Sequence, residues 1–226
     1  MIERAVTPVV EEYLENIFKL QEEFGRARTK ELADRLGVTL GTVTNMIEDL
    51  ERQGLVIHEM YRGVRLTGEG RRIALDVIRR HRLSERLLTD LLKMPMSKVH
   101  KAACELEHSL SEDVIKPLER ALGHPKTCPH GNPIPTSCGG IIEDESIPIS
   151  KLSAGDSGVI KKITEEEEEL LQYLCAMGIL PETSVIVNER ISFDGSFKIT
   201  VGGIDRSISR KVASVVWVRK NRVESL

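Results

Sequence analysis

A chain of 226 residues with 40% hydrophobic and 30% charged side chains is long enough to bury a core in two domains or three small ones. It has no apolar run near the roughly 18 residues a membrane helix needs, and no basic-then-apolar N-terminal segment, so a membrane or secreted protein is not expected and the chain reads as cytoplasmic. The net charge of −3 offers no overall attraction for nucleic acid, and four cysteines (104, 128, 138 and 175) without a disulfide pattern read as ligands or buried thiols in a reducing compartment.

Residues 7–24 carry Val10, Tyr13, Leu14, Ile17, Leu20, Gln21 and Phe24 at three- and four-residue steps, an amphipathic helix entered through Thr7-Pro8 and ended by Gly25. Thr29 is expected to cap a short helix through Leu36 that Gly37 closes. Thr39 then caps a longer one through Arg52, with Val43, Met46, Ile47 and Leu50 on one stripe. A strand over 54–60, a turn at Tyr61-Arg62-Gly63 and a returning strand over 64–67 follow. A helix-turn-helix with a β-hairpin behind it is a winged helix, whose second helix enters the major groove. Its first turn offers Thr39, Gly41, Thr42, Thr44 and Asn45 to phosphates, thymine methyls and base edges, and Arg62 tips the wing. With no arginine there to grip guanine, DNA shape and phosphate contacts are expected to carry part of the binding. Between Arg62 and Lys101 eleven basic residues face four acidic ones, a net +7 inside an acidic chain.

A long helix is predicted from Gly68 to about Leu92, a second from Ser97 and a third from Glu112 to Leu122. The first carries His81 and Glu85 at i, i+4. The second carries His100, Cys104, Glu107 and His108 at steps of four, three and one, so imidazole, thiolate, carboxylate and imidazole project from one face. Six donors on two helices that can pack together point to a metal site. The leucines between about 85 and 122 exceed the needs of a winged helix and predict a homodimer interface, which suits two half-sites about one turn apart.

Residues 124–149, rich in Pro and Gly, read as a surface linker. Its Cys128, His130 and Cys138 match no common zinc module, and an ordinary loop is the favoured reading. Beyond it, strands over 156–163, 184–188, 197–201 and 212–218 with one helix over 165–177 form a small β-barrel. The Glu165–Glu169 run suits a helix N-terminus, and one of its carboxylates can alternatively reach a metal.

These features together resemble the diphtheria-toxin repressor family of iron- and manganese-dependent transcriptional repressors. The resemblance rests on the winged helix, on His81-Arg-Leu-Ser-Glu-Arg-Leu-Leu88, on Lys98-Val-His-Lys-Ala-Ala-Cys-Glu-Leu-Glu-His108, on Pro129-His-Gly-Asn-Pro-Ile-Pro135, and on a C-terminal barrel similar to the SH3-like FeoA domain. It implies a multidomain α+β protein: a winged helix over 1–74, a helical dimerisation and metal-binding domain over 75–123, the linker over 124–149 and the FeoA-type domain over 150–226. It also implies a regulatory site from Cys104, Glu107, His108 and a residue of the first helix, and an ancillary site from His81, Glu85, His100 and a barrel carboxylate, nearest Glu167. Thr39, Gly41 and Asn45 fall at base-proximal positions and Thr42 and Thr44 at phosphates. Iron-responsive members carry Met on the first helix where this chain has Glu12, whereas manganese-responsive ones pair an Asp there with Glu in place of Cys104.

The function expected is a metal-activated repressor of metal-homeostasis genes. Fe²⁺ is favoured and Mn²⁺ is the alternative, with Co²⁺, Ni²⁺ or Zn²⁺ substituting in vitro. Its partners are a pseudo-palindromic double-stranded operator and a second copy of itself, with no membrane and no small-molecule substrate. A constitutive winged-helix protein with structural metals is the main rival. A metalloenzyme is not expected, because Glu105, the nearest general base, points away from the donor face. A fourth role, docking of a Pro-rich segment such as Pro129–Pro135 on the barrel, can coexist with repression.

Overall fold

Thr7 opens α1 (Pro8–Phe24) as Thr-Pro predicts: its hydroxyl accepts the Val10 N–H at 3.3 Å, and Gly25 ends the helix in the left-handed region. The computed structural model describes residues 6–59, 62–142 and 145–221. Among them no helix is long and apolar enough to cross a membrane. The chain divides into two units, residues 1–81 with 135–140, and residues 82–134 with 141–226.

The first unit holds α1, α2 (Thr29–Leu36), α3 (Leu40–Arg52), the hairpin β1 (Val56–Glu59) and β2 (Gly63–Leu66), and most of α4 (Gly68–Arg86). Its core is the stripe of α1 (Tyr13, Leu14, Ile17, Phe18, Leu20) with Leu32, Val43, Ile47, Leu50, Val64, Val77 and Ile78. Each fully buried aliphatic side chain there contributes about 1.5–3 kcal/mol. Two expectations fail locally. Phe24, last on the stripe, is exposed. Thr29 is the first helical residue rather than the cap, because Arg28 takes that place and its N–H is accepted by the Glu31 carboxylate at 3.2 Å. The hairpin pairs Val56 with Leu66 and Glu59 with Gly63. Gly63 is required here, since a Cβ would lie 2.5 Å from the Ala27 carbonyl oxygen. Met60 and Tyr61, at the expected strand end and turn, lie outside the described residues.

In the second unit the helix expected to reach Leu92 stops at Arg86. Leu87–Leu91 continue as a π-turn, in which Leu92 N–H donates to Leu87 O and the Thr89 hydroxyl donates to Glu85 O. Then follow α5 (Val99–Glu107) and α6 (Glu112–Ala121). Leu88, Val99 and Ala103 form one small core and Leu83, Ile115 and Ile134 another.

The C-terminal part is a six-stranded antiparallel sheet, ordered β3 (Ile147–Pro148), β8 (Val216–Lys220), β4 (Ser157–Ile163), β5 (Ser184–Arg190), β6 (Phe197–Val201), β7 (Ile204–Ile208). Ile160, Ile163, Leu171, Leu174, Val187, Phe197 and Ile199 fill its core, with α7 (Glu168–Ala176) against them. Strand β7 escapes sequence reading because Gly202-Gly203 turns the chain straight back onto β6 through five residues with little alternation. Conversely, Val212–Val215, expected as strand, belong to a short helix, α8 (Arg210–Val215), whose Val212 N–H is capped by Ser209 at 3.3 Å.

Candidate metal centres and nucleic-acid interface

The start of α3 is built from exposed Thr39, Leu40, Gly41, Thr42, Thr44 and Asn45. Thr39 Oγ1 accepts the Thr42 N–H at 3.2 Å and lies 2.9 Å from the Thr42 hydroxyl, while Thr44 Oγ1 donates to Leu40 O at 2.9 Å. These hydroxyls serve the helix end first, and Asn45 offers an amide to an incoming surface. Arg62 is exposed at the wing. The basic run behind it is not one open surface. Arg79 is 1% exposed, and Arg80 is held by Glu11 at 2.5 Å and Asp76 at 3.1 Å. Arg82 donates to Pro133 O and Arg86 Nε donates to Thr127 O at 2.7 Å, so two more guanidinium groups hold protein backbone.

On α5 the i, i+4 pair brought together is His100 and Cys104, which the resemblance assigned to different sites. His100 Nε2 lies 3.7 Å from Cys104 Sγ, both half-buried, and Glu107 Oε1 lies 3.2 Å from His108 Nε2, with Glu107 buried. The carboxylate facing His100 is that of Glu166, at 3.8 Å. Glu167, the residue expected, is turned toward Lys211 at 3.6 Å. The difference arises just before α7, where Glu165 Oε1 accepts both the Glu166 and Glu167 N–H groups and sets which way the next carboxylates leave the turn. Glu12 is exposed on α1. One turn on, Glu15 is buried beside Lys19 at 3.1 Å, a carboxylate among apolar neighbours that the periodicity argument passed over. His81 is buried on α4, one turn before Glu85.

A fully buried cluster is one the sequence reading left as a loop. Glu85, Cys128 and His130 are each 2% exposed, and their donor atoms all lie within 4.8 Å of one another. Glu85 Oε1 is 3.2 Å and Cys128 Sγ 3.9 Å from His130 Nδ1. The far nitrogen, Nε2, is 3.0 Å from Met96 O; because a carbonyl only accepts, that nitrogen carries a proton and Nδ1 is the one available to the cluster. Burial opposes the charge on the imidazole, but the hydrogen bonds and charges of Cys128 and Glu85 outweigh it and push the His130 pKa up to about 10.

Local backbone explains how the chain makes this cluster. Cys128 N–H donates to Asn132 O, Gly131 N–H donates to Cys128 O, and His130 O accepts the Ile163 N–H at 2.9 Å. Asn132 Nδ2 adds a bond to Ile163 O at 2.8 Å. Gly131 has φ +85°, and a Cβ there would sit 1.9 Å from Lys161 O, so only glycine lets the strap lie against β4. The segment is therefore packed rather than a surface linker. The third donor is Glu85, whereas Cys138 is exposed on the Thr136–Gly140 turn. The sequence signal was present in Cys-Pro-His-Gly-Asn: a thiol and an imidazole two residues apart before an obligatory turn.

The donors fit a divalent cation. Thiol, imidazole and carboxylate sit together out of water, and the imidazole's remaining N–H is anchored by a carbonyl, which fixes the ring for ligation.

Comparison with known proteins accounts for the whole arrangement. The iron dependent repressor N-terminal DNA binding domain matches residues 5–64, the iron dependent repressor metal binding and dimerisation domain residues 67–136, and the FeoA domain residues 147–220. The iron-dependent repressor IdeR of Mycobacterium tuberculosis is 33% identical over 227 residues, covering 93% of this chain and 96% of that protein. The diphtheria toxin repressor of Corynebacterium efficiens is 34% identical over 221 residues, covering 93% and 94%. Among solved structures, a manganese-dependent transcriptional repressor in complex with manganese superposes with a TM-score of 0.87 at 32% identity, covering 92% of this chain and 98% of that one. The IdeR of T. acidophilum gives 0.80 at 26% identity, covering 93% and 97%. A winged DNA-reading head, a helical domain rich in metal donors and a FeoA domain thus follow one another along a chain that belongs to the diphtheria-toxin repressor and IdeR family of metal-dependent, DNA-binding transcriptional repressors.

Proposed function

We propose that the activating ion is Fe²⁺, that the regulated genes serve metal homeostasis, and that two copies of the chain bind a pseudo-palindromic operator. The observation that carries the metal choice is the donor set itself. Cys104 and Cys128 bring thiolates to centres otherwise made of imidazole and carboxylate, a mixture of N, O and S that suits Fe²⁺ better than the all-oxygen preference of Mn²⁺. Relatives named for iron dependence support it. The second reading, Mn²⁺, is favoured by the hard carboxylate of Glu12 and by the likeness to a manganese-dependent repressor. By the same series, Co²⁺, Ni²⁺ and Zn²⁺ activate in vitro.

The regulatory centre in this proposal is Cys104, Glu107 and His108 of α5, completed by Glu12. His81 and His100 with Glu166, in place of Glu167, form an ancillary centre, and Glu85 serves Cys128 and His130. A bound divalent cation supplies the positive charge that lets a thiolate and several carboxylates sit together. Held by these residues, the cation would be bound by Cys104 as the thiolate and would offset the negative charges of Glu12 and Glu107. A preference of about 5 kcal/mol for the DNA-competent state turns a mostly incompetent population into a mostly competent one. In the groove, Thr39, Gly41 and Asn45 face base edges, while Thr42, Thr44 and Arg62 take phosphates. In this proposal the functional segments are the reading head (1–74), the helical domain (75–123), the Pro/Gly-rich linker that carries the strap (124–149) and the FeoA part (150–226).

Operator binding titrated with Fe²⁺ and with Mn²⁺ under anaerobic conditions, at stated salt, tests this reading. Tighter DNA binding at lower free Fe²⁺ than Mn²⁺ is expected, and Cys104→Ala and Glu12→Ala lose the response with the fold intact. DNA affinity that chelation leaves unchanged would instead select a constitutive DNA-binding protein with structural metals.

A further inference from the structure

The tip of the β5–β6 hairpin is used by neither the metal centres nor the DNA-reading head. Residues 190–195 and Arg210 line a hollow of about 440 Å³ there, within the size range of small-ligand sites. Among the described residues no carboxylate pairs with Arg190 or Arg210, whereas Arg28, Arg35, Arg52, Arg65, Arg71 and Arg72 each have one. The acid of the turn, Asp194, is spent within it: its Oδ1 accepts the Ser196 N–H at 2.9 Å and the Ser196 hydroxyl at 2.8 Å, and these bonds hold the carboxyl below its usual range. Two positive charges therefore line the hollow without an internal answer.

Both guanidinium groups are steadied without using their N–H donors. Arg190 lies over the face of the buried Phe197 ring, 5.6 Å from its centre. The arm of Arg210 runs along Gly195, its Cδ 3.5 Å from where a Cβ would stand. The turn beneath them is closed by Ile191 N–H to Ser196 O and Gly195 N–H to Ile191 O, each 2.9 Å. At the rim stands Phe193, 88% exposed, the most exposed large hydrophobic side chain among the described residues. A single exposed ring is ordinary, but a ring beside two unanswered guanidinium groups suits a ligand that is anionic at one end and flat at the other.

We propose that this hollow binds a nucleoside monophosphate, with the phosphate held by Arg190 and Arg210 and the base stacked on Phe193. Guanidinium forks match phosphate oxygens, and every base offers a flat face to an aromatic ring, so the site recognises the class rather than one base. One ring and one cationic hollow fit one nucleotide unit. That unit can be free or part of a single strand, and the enclosed shape favours the free form.

Amide-shift titration of the full-length, metal-free protein tests it, since no bound cation then competes for the phosphate. AMP and GMP are expected to shift the amides of residues 190–195 and 210 with a Kd of about 1 mM or tighter. Inorganic phosphate and adenosine should each bind roughly tenfold more weakly, because each keeps half of the contacts. Phe193→Ser should reduce AMP to the level of phosphate and leave phosphate itself unchanged. Arg190→Gln and Arg210→Gln should each weaken AMP about tenfold, and all three variants should melt as wild type does, since these side chains are exposed. Absence of shifts at these amides with AMP and GMP overturns the proposal, as does AMP binding that Arg210→Gln or Phe193→Ser leaves equal to wild type. A single-stranded oligonucleotide that binds there while AMP does not would assign the hollow to a strand and overturn the free-nucleotide reading.

Discussion

His100 and Cys104 on α5 and the donors on the strap are chemically alike and physically opposite. His100 and Cys104 are half-buried on one helix face, whereas Glu85, Cys128 and His130 are sealed from water by α4, the strap and Met96. A sealed cluster must balance its charges at all times, because an unpaired buried carboxylate or thiolate is costly. The strap does this without metal: the His130 imidazolium answers Glu85 and Cys128. Donors in contact with water carry no such demand and can wait open. In the proposed scheme the strap centre is therefore architecture and the α5 centre the sensor.

Removing His130 should break that contrast most severely. His130→Ala removes the buried imidazole that faces Glu85, Cys128 and Met96 O, so denaturant unfolding of the metal-free protein should show a loss of about 3–5 kcal/mol. Cys104→Ala, at a half-exposed site, should cost no more than about 1 kcal/mol in the same assay. Similar losses in the two variants would mean that the strap is not a pre-balanced unit.

The strap's charge balance also sets a pH dependence of definite sign. The folded pKa of His130, about 10, lies above the roughly 6.5 of an unfolded histidine. The folded state thus holds the proton more tightly: its contribution is fully present below about pH 6.5 and is lost as pH rises toward 10, with a limiting slope of about 1.4 kcal/mol per pH unit. Thermal melts of metal-free wild type against His130→Gln between pH 7 and 10 should converge as pH rises. Since a cation at Nδ1 displaces that proton, metal uptake by the strap should strengthen over the same range.

Much of this was legible in the sequence because it is local. The winged helix follows from periodicity, Thr and Gly punctuation and a short hairpin, and the donors of α5 follow from i, i+4 geometry. The strap was not legible, because its donors come from residues 85, 128 and 130, and no local pattern says that a Pro-Gly segment will lie against both α4 and β4. Gly131 marked that contact, but sequence alone does not distinguish a glycine needed for close approach from one in an ordinary turn. Glu15 was missed for a related reason: periodicity reports which face is buried, and a charged residue on that face reads as noise until its partner is seen.

The smallest predicted effect separates two neighbouring carboxylates. Glu166 and Glu167 differ by one position, yet one faces His100 and the other Lys211 across an exposed, solvent-screened gap. Either substitution to Gln should therefore change stability by less than about 1 kcal/mol. Metal titration distinguishes them: Glu166→Gln should weaken Co²⁺ binding at the His100 centre by about tenfold, the scale of losing a partner beside a ligating imidazole, while Glu167→Gln should match wild type within about twofold. The visible absorption of Co²⁺ reports ligand number directly. If the two variants weakened it equally, the acidic run would act as a diffuse charge at the start of α7, and the FeoA part would lend the sensor no specific ligand.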